Sequence, residues 1–103
     1  MRLISQDGIT DIPYENSVLN VFANYGYNKE KKFNEIIGYR IMTYAGDNPW
    51  TLGDYSTKEK ALEVMEMLQN QYKRFMATAL MDIKNENIYF RFPADESVNE
   101  VSA

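Results

Sequence analysis

Neither Gly nor Pro occurs between Asp54 and Pro93, the longest such run in this 103-residue chain. Those two residues disrupt helices most, so a run without them is where a long helix can sit. Within it Ala61, Met65, Leu68, Tyr72 and Phe75 recur at spacings of four and three. They form one apolar stripe, with Glu59, Glu63, Glu66 and Lys73 away from it. Ser56-Thr57-Lys58-Glu59 has the spacing of a capping box, in which the Ser56 hydroxyl accepts the Glu59 N–H and the Glu59 carboxylate reaches back to Ser56. The pattern predicts a helix to about Thr78, with room for a second short helical piece over Ala79 to Ile83. Asn85-Glu86-Asn87 breaks it, and Ile88 to Phe92 reads as a strand ending at Pro93.

Upstream the apolar period changes to two. Arg2 to Ser5 reads as a first strand, Asp7-Gly8 as a tight turn, and Ile9 to Glu15 as a second strand that Pro13 places at an edge or an end. Ser17 to Tyr27 is a third, with Leu19, Val21, Ala23 and Tyr25 on one face. After the mixed-charge loop from Asn28 to Lys32 comes a fourth strand, Glu35 to Ala45. There Ile37, Tyr39 and Ile41 face one way, and Gly38, Arg40, Met42 and Tyr44 the other. Gly46-Asp47-Asn48-Pro49 turns the chain into a fifth strand, Trp50 to Tyr55. The expected fold is α+β, an antiparallel sheet of about six strands with one long helix inserted before the last strand. Residues 1–96 form a single domain in this reading, and 97–103 a flexible acidic tail.

The chain has no Cys and no His. A disulfide, a thiolate nucleophile, an imidazole base and a His/Cys metal site are all excluded. No Ser-x-x-Lys and no Gly-x-x-x-x-Gly-Lys run occurs, and Asp7, Asp11 and Glu15 lack the spacing of a calcium loop. The chain is therefore read as non-enzymatic, with no catalytic residue, cofactor or metal. No stretch approaches the roughly 20 apolar residues of a membrane span, and the N-terminal octet lacks a secretory pattern. The expected location is the cytoplasm, without a membrane partner. Eleven Lys and Arg against 15 Asp and Glu leave a net charge of −4, which argues against long nucleic acid. A small anionic ligand needs only two or three well-placed Arg.

One helix covers one face of a sheet, yet Met42, Tyr44 and Phe22 fall on the other. With eight Tyr, five Phe and one Trp, the chain either fills a small core and its margin or buries the second face against another copy of itself. Homo-oligomerisation is the expected outcome of the latter.

A nucleotide would need an aromatic plane for the base and Arg forks for phosphate. Arg40 and Arg91 each interrupt an apolar or aromatic strand, Arg91 lying between Phe90 and Phe92 on the face of Tyr89. Either is also simply the charge on a solvent face. Phe75 is a candidate plane and equally a residue of the helix stripe, while Asn85 could read a base edge or ribose or form a turn.

Met1-Arg2-Leu3-Ile4-Ser5-Gln6-Asp7-Gly8, Ile12-Pro13-Tyr14-Glu15, Tyr55 to Ala61 leading into Met65-Glu66-Met67-Leu68, and Phe92-Pro93-Ala94-Asp95-Glu96 together resemble a family of small proteins of phages and prophages of Gram-positive bacteria. These blocks span nearly the whole chain, and the N-terminal octet is the most distinctive. The family is that of the first described Thoeris anti-defence proteins, sponges that bind the cyclic ADP-ribose isomer made by a TIR-domain defence enzyme and leave it uncleaved. Some members are thought also to bind cyclic oligonucleotide signals at a separate site created by oligomerisation. The resemblance implies an antiparallel sheet with helices before the final strand, and a pocket at a subunit interface with an aromatic plane, Arg and Asn. On this chain those roles are placed at Phe75 for stacking, Arg91 and Arg40 for the pyrophosphate, and Asn85 for a ribose or base edge. The stretch from Thr78 to Ile88 is short for the longer relatives expected. The alternative reading is a protein-binding inhibitor or accessory module of a phage, acting on a host factor through its acidic surface and tyrosines.

Overall fold

The uninterrupted run folds as the helix it predicts. In the computed structural model, which describes residues 1–15, 17–45, 48–80 and 89–99, helix α1 spans Lys58–Leu80. Its buried stripe is Ala61, Val64 and Leu68, with Met65, Tyr72 and Phe75 partly buried against the same core. The cap differs from the expected box. The Ser56 N–H and hydroxyl both donate to Asp95 Oδ1, at 2.8 and 3.1 Å, so Ser56 has no N–H left for Glu59. Thr57 takes the role instead, its Oγ1 accepting the Lys60 N–H at 3.2 Å. Thr57→Ala is expected to cost about 1 kcal/mol of stability, read as a lower urea midpoint at unchanged slope. An unchanged midpoint would place the cap elsewhere. Of the second short helical piece expected over Ala79 to Ile83, Ala79 and Leu80 belong to α1, and the rest lies outside the described residues.

The chain is α+β, with six strands and one long helix before the last of them among the described residues. The strands divide into two sheets, where the sequence pattern suggested a single antiparallel one. β1 (Arg2–Ile4), β2 (Asp11–Pro13) and β6 (Tyr89–Arg91) form one, in the order β2-β1-β6. β3 (Leu19–Asn28), β4 (Phe33–Ala45) and β5 (Asn48–Tyr55) form an antiparallel meander. β6 lies parallel to β1, Leu3 opposite Phe90. A parallel pair needs a long crossover, and here the meander and α1 together supply it.

The core lies where α1 meets both sheets. Leu3, Ile41, Leu52, Ala61, Val64, Leu68 and Phe92 are at most 1% exposed. Val98 is buried as well, so the segment expected to be a tail from Ser97 onward contributes to the core at its second residue.

One irregularity redirects the fourth strand. Asn24 faces Gly38 but Tyr25 faces Ile36, which leaves Ile37 as an extra residue in β4. Ile37 therefore departs from the covered face that Tyr39 and Ile41 share, and is 59% exposed. β5 pairs β4 only as far as Tyr39. Past that point β3 and β4 continue alone as a two-stranded arm. The arm lengthens the molecule to 59 × 36 × 19 Å, with a radius of gyration of 15.7 Å, against about 13 Å for a compact chain of this length.

Candidate functional site

The two sheets are tied together by Gln6, in the turn that follows β1. Gly8 closes this turn with a φ of +77°, a conformation that costs Gly little, and its N–H donates to the Ser5 carbonyl at 2.9 Å. A Cβ at Gly8 would come within 3.2 Å of Arg91 Nη2, the far end of an exposed, flexible side chain, so the positive φ rather than the space is what favours Gly here. The Ser5 hydroxyl and the Ile9 N–H both donate to Asp7 Oδ1, and they hold the Asp7 carboxyl below its usual range, the Ser5 bond foremost. So braced, Gln6 reaches β5. Its N–H donates to the Leu52 carbonyl at 2.7 Å. Its side-chain amide accepts the Asp54 N–H at 2.9 Å and donates to the carbonyls of Asp54 and Pro93 at 3.0 and 2.9 Å.

Asp54, fixed in this way, receives Arg40 Nε from β4 at 2.8 Å. Neither Nη of Arg40 makes a hydrogen bond among the described residues, and the guanidinium stands in the wall between two clefts. One, of about 250 Å³, is lined by Gln6, Asp7, Arg40, Thr51 and Asp54 among others. The other, of about 370 Å³, is lined by Asn24, Ile37, Tyr39, Arg40, Asp54 and Asp95 among others. Asp95 sits at the start of α1, where the Ser56 N–H, the Ser56 hydroxyl and Lys60 favour its ionised form, the Ser56 N–H most strongly. Its carboxyl is held below the ordinary range. Burial raises the Tyr55 hydroxyl well above its ordinary value, so it remains a donor, to the Pro93 carbonyl at 2.8 Å.

Electrostatically the larger cleft combines one fork of free N–H donors with two carboxylates. Its carboxylates accept hydrogen bonds, as sugar hydroxyls require, while the Arg40 fork suits a phosphate. Asn24 can pair with a base edge. Tyr39 and Tyr55 are the aromatic residues in the lining, and since Tyr55 is buried, Tyr39 is the ring with a face to offer.

Of the residues singled out in the sequence, Arg40 lines both clefts. Arg91 comes to the same turn, where its Nη2 donates to the Gln6 carbonyl at 3.3 Å. Phe75 does not. It lies 17 residues beyond the first residue of α1, about 25 Å along the axis, whereas Asp54 and Arg40 lie near the start of α1. It belongs there to a row of rings, with Tyr72 at 5.9 Å and Tyr14 at 4.6 Å from Tyr72. Asn85 lies outside the described residues. Sequence reasoning did not find Gln6, Asp54, Asn24 or Tyr39. Each is an ordinary strand or turn residue in sequence, and only the pairing of distant strands assembles them.

A third cleft, of about 330 Å³, is mostly apolar and lies between β2 and β5, with Ile9, Ile12 and Trp50 in its walls. No helix among the described residues is long and apolar enough to cross a membrane. No protein-family model, curated protein or solved structure matches this chain.

Proposed function

We propose that this chain is a phage anti-defence protein that captures a small cyclic nucleotide of the cyclic ADP-ribose type and releases it unchanged. Support comes from the family resemblance and, above all, from one observation. Asn24, Tyr39 and Arg40 line a single cleft, which is the combination of aromatic plane, Arg and Asn that the resemblance implies. Its 370 Å³ falls within the range of small-molecule sites. In this assignment Arg40 takes the pyrophosphate, Tyr39 the adenine, Asn24 a base edge, and Asp54 and Asp95 the ribose hydroxyls. Arg91 acts through the Gln6 turn. A sponge competing at nanomolar affinity needs about 12 kcal/mol of net binding energy, so the ligand must be largely enclosed.

Native mass spectrometry of the purified protein with cyclic ADP-ribose isomers is expected to give a stoichiometric complex, and heating it to return the ligand at its original mass. Recovery of a hydrolysed product would make the protein an enzyme. A second reading, a module that inhibits a host protein, is favoured by the exposed rings of Tyr25 and Tyr27 on the arm, each 61% exposed. A stoichiometric host protein bound, with no cyclic nucleotide captured, would establish that reading instead.

A further inference from the structure

Among the described residues every strand edge but that of β3 is short, partly occupied or charged. β4 is open only from Phe33 to Gly38, where β5 no longer pairs it, and carries Glu35 there. Gln6 occupies the outer side of β5 at Leu52 and Asp54, and the first half of that strand carries Pro49. β2 has three residues, ends at Pro13 and carries the Arg2–Asp11 ion pair. β6 has three residues, and Gln71 of α1 donates to the Tyr89 carbonyl at 2.6 Å. β3 is different. It runs for ten residues at the end of its sheet, and no described residue bonds to the backbone of its outer side from Leu19 to Tyr27.

Folded monomers guard such an edge with Lys, Pro or short length. This one has none of these, since no charged residue and no Pro occurs between Glu15 and Lys29. It carries instead Phe22, Tyr25 and Tyr27, exposed at 39, 61 and 61%. The distal half of the strand lies in the two-stranded arm, and two-stranded ribbons are marginally stable alone in water.

We infer that β3 is a self-association edge, which pairs antiparallel with β3 of a second copy about a two-fold axis. The two meanders then join into one six-stranded sheet. Several features select a second copy over a foreign strand. An uncharged edge meets its own image with no repulsion, and two-fold pairing is self-complementary. When the two-fold axis passes through the middle of the strand, Ala23 or Asn24 faces its own copy, and Leu19 faces Tyr27 or Asn20 faces Asn28 of the second copy. The lysine-bearing tip (Lys29, Lys31, Lys32) of one copy then approaches the Glu15 end of the other. The three aromatic rings alone leave about 300 Å² open at roughly 150–250 Å² per aromatic side chain. Strand pairing covers the flanks of these rings, Phe22 on one face of the sheet and Tyr25 and Tyr27 on the other. It adds the paired backbone and Val18, 70% exposed, toward the about 800 Å² per partner of a standard interface. The contact uses the edge of the sheet rather than the uncovered face of Met42 and Tyr44 suggested by the sequence. Asn24 lies on this edge and lines the larger cleft, so the second copy stands at the rim of that cleft.

Light scattering on the eluting protein at roughly 100 μM, above the micromolar end of the range for interfaces of standard size, is expected to give a dimer mass. The double variant Tyr25→Lys/Tyr27→Lys, altered at two exposed positions, is expected to elute as a monomer with unchanged helical circular dichroism. Because the chain has no Cys, single cysteines report contacts between copies alone. In the series Asn20→Cys, Phe22→Cys, Ala23→Cys, Asn24→Cys and Tyr25→Cys, mild oxidation is expected to give disulfide dimers peaking at one position, with Met67→Cys on α1 staying monomeric. A wild-type monomer at that concentration would overturn the inference. So would a dimer that survives the lysine pair, or one that crosslinks through Met67→Cys and not through β3.

Discussion

Phe92→Ala is expected to lower the melting temperature by roughly 15–30 °C, the largest effect of any single substitution considered for stability. Phe92 is 1% exposed, and its ring meets Phe90 edge-on at 5.2 Å. Truncating a buried Phe costs about 3–5 kcal/mol through lost transfer energy and the cavity left behind. A domain of this size has roughly 5–15 kcal/mol in total, and each kcal/mol moves the midpoint by about 4–8 °C. Phe92 belongs to one buried cluster with Leu3 and Leu68, which are 0 and 1% exposed, so the gap would open inside the core rather than at its margin. The position also closes the parallel seam, because the Phe92 N–H donates to the Ile4 carbonyl at 3.0 Å. Calorimetry on the two proteins would decide it. A fall of less than roughly 5 °C, about 1 kcal/mol on the same scale, would mean that Phe92 is not part of a close-packed core.

What could be read in the sequence was local. The stripe from Ala61 to Phe75 and the alternation of Tyr89, Phe90, Arg91 and Phe92 depend on periods within one element, and the structure has both. The choice between Ser56 and Thr57 as cap depended on Asp95, 39 residues away from Ser56, and no local spacing carries that. The same holds for the division into two sheets. A three-residue strand announces itself by its residues, but its partner is chosen by whatever core forms between them. The bulge at Ile37 has no turn residue of its own, although Gly38 follows it, so alternation continued through it in the sequence and placed Ile37 on the wrong face. The site followed suit. Arg40 stood out because a charge interrupts an apolar strand, whereas Gln6 acts through backbone groups of Asp54 and Pro93, which every sequence possesses.

Arg40→Ala is expected to weaken capture of a cyclic ADP-ribose isomer by about 100-fold, since hydrogen bonds to charged groups contribute about 1.5–3 kcal/mol each. The guanidinium is presented in one orientation, because Asp54 holds Nε at 2.8 Å and Gln6 holds the backbone of Asp54. Its two Nη groups then reach a ligand without further ordering of the side chain. Arg40→Lys keeps the charge but has a single ammonium, which cannot bond Asp54 and fork a phosphate in the same geometry, so it should rescue less than a tenth of the lost affinity. Gln6→Ala tests the positioning separately. It leaves Arg40 in place and is expected to weaken capture less than Arg40→Ala does, with the dissociation rate rising more than the association rate falls. Isothermal titration with the three variants, each checked for unchanged helical circular dichroism, distinguishes these effects. If Arg40→Ala binds the nucleotide as tightly as the parent chain, neither cleft at the Gln6 seam is the capture site, and the polar groups gathered there serve only to join the two sheets.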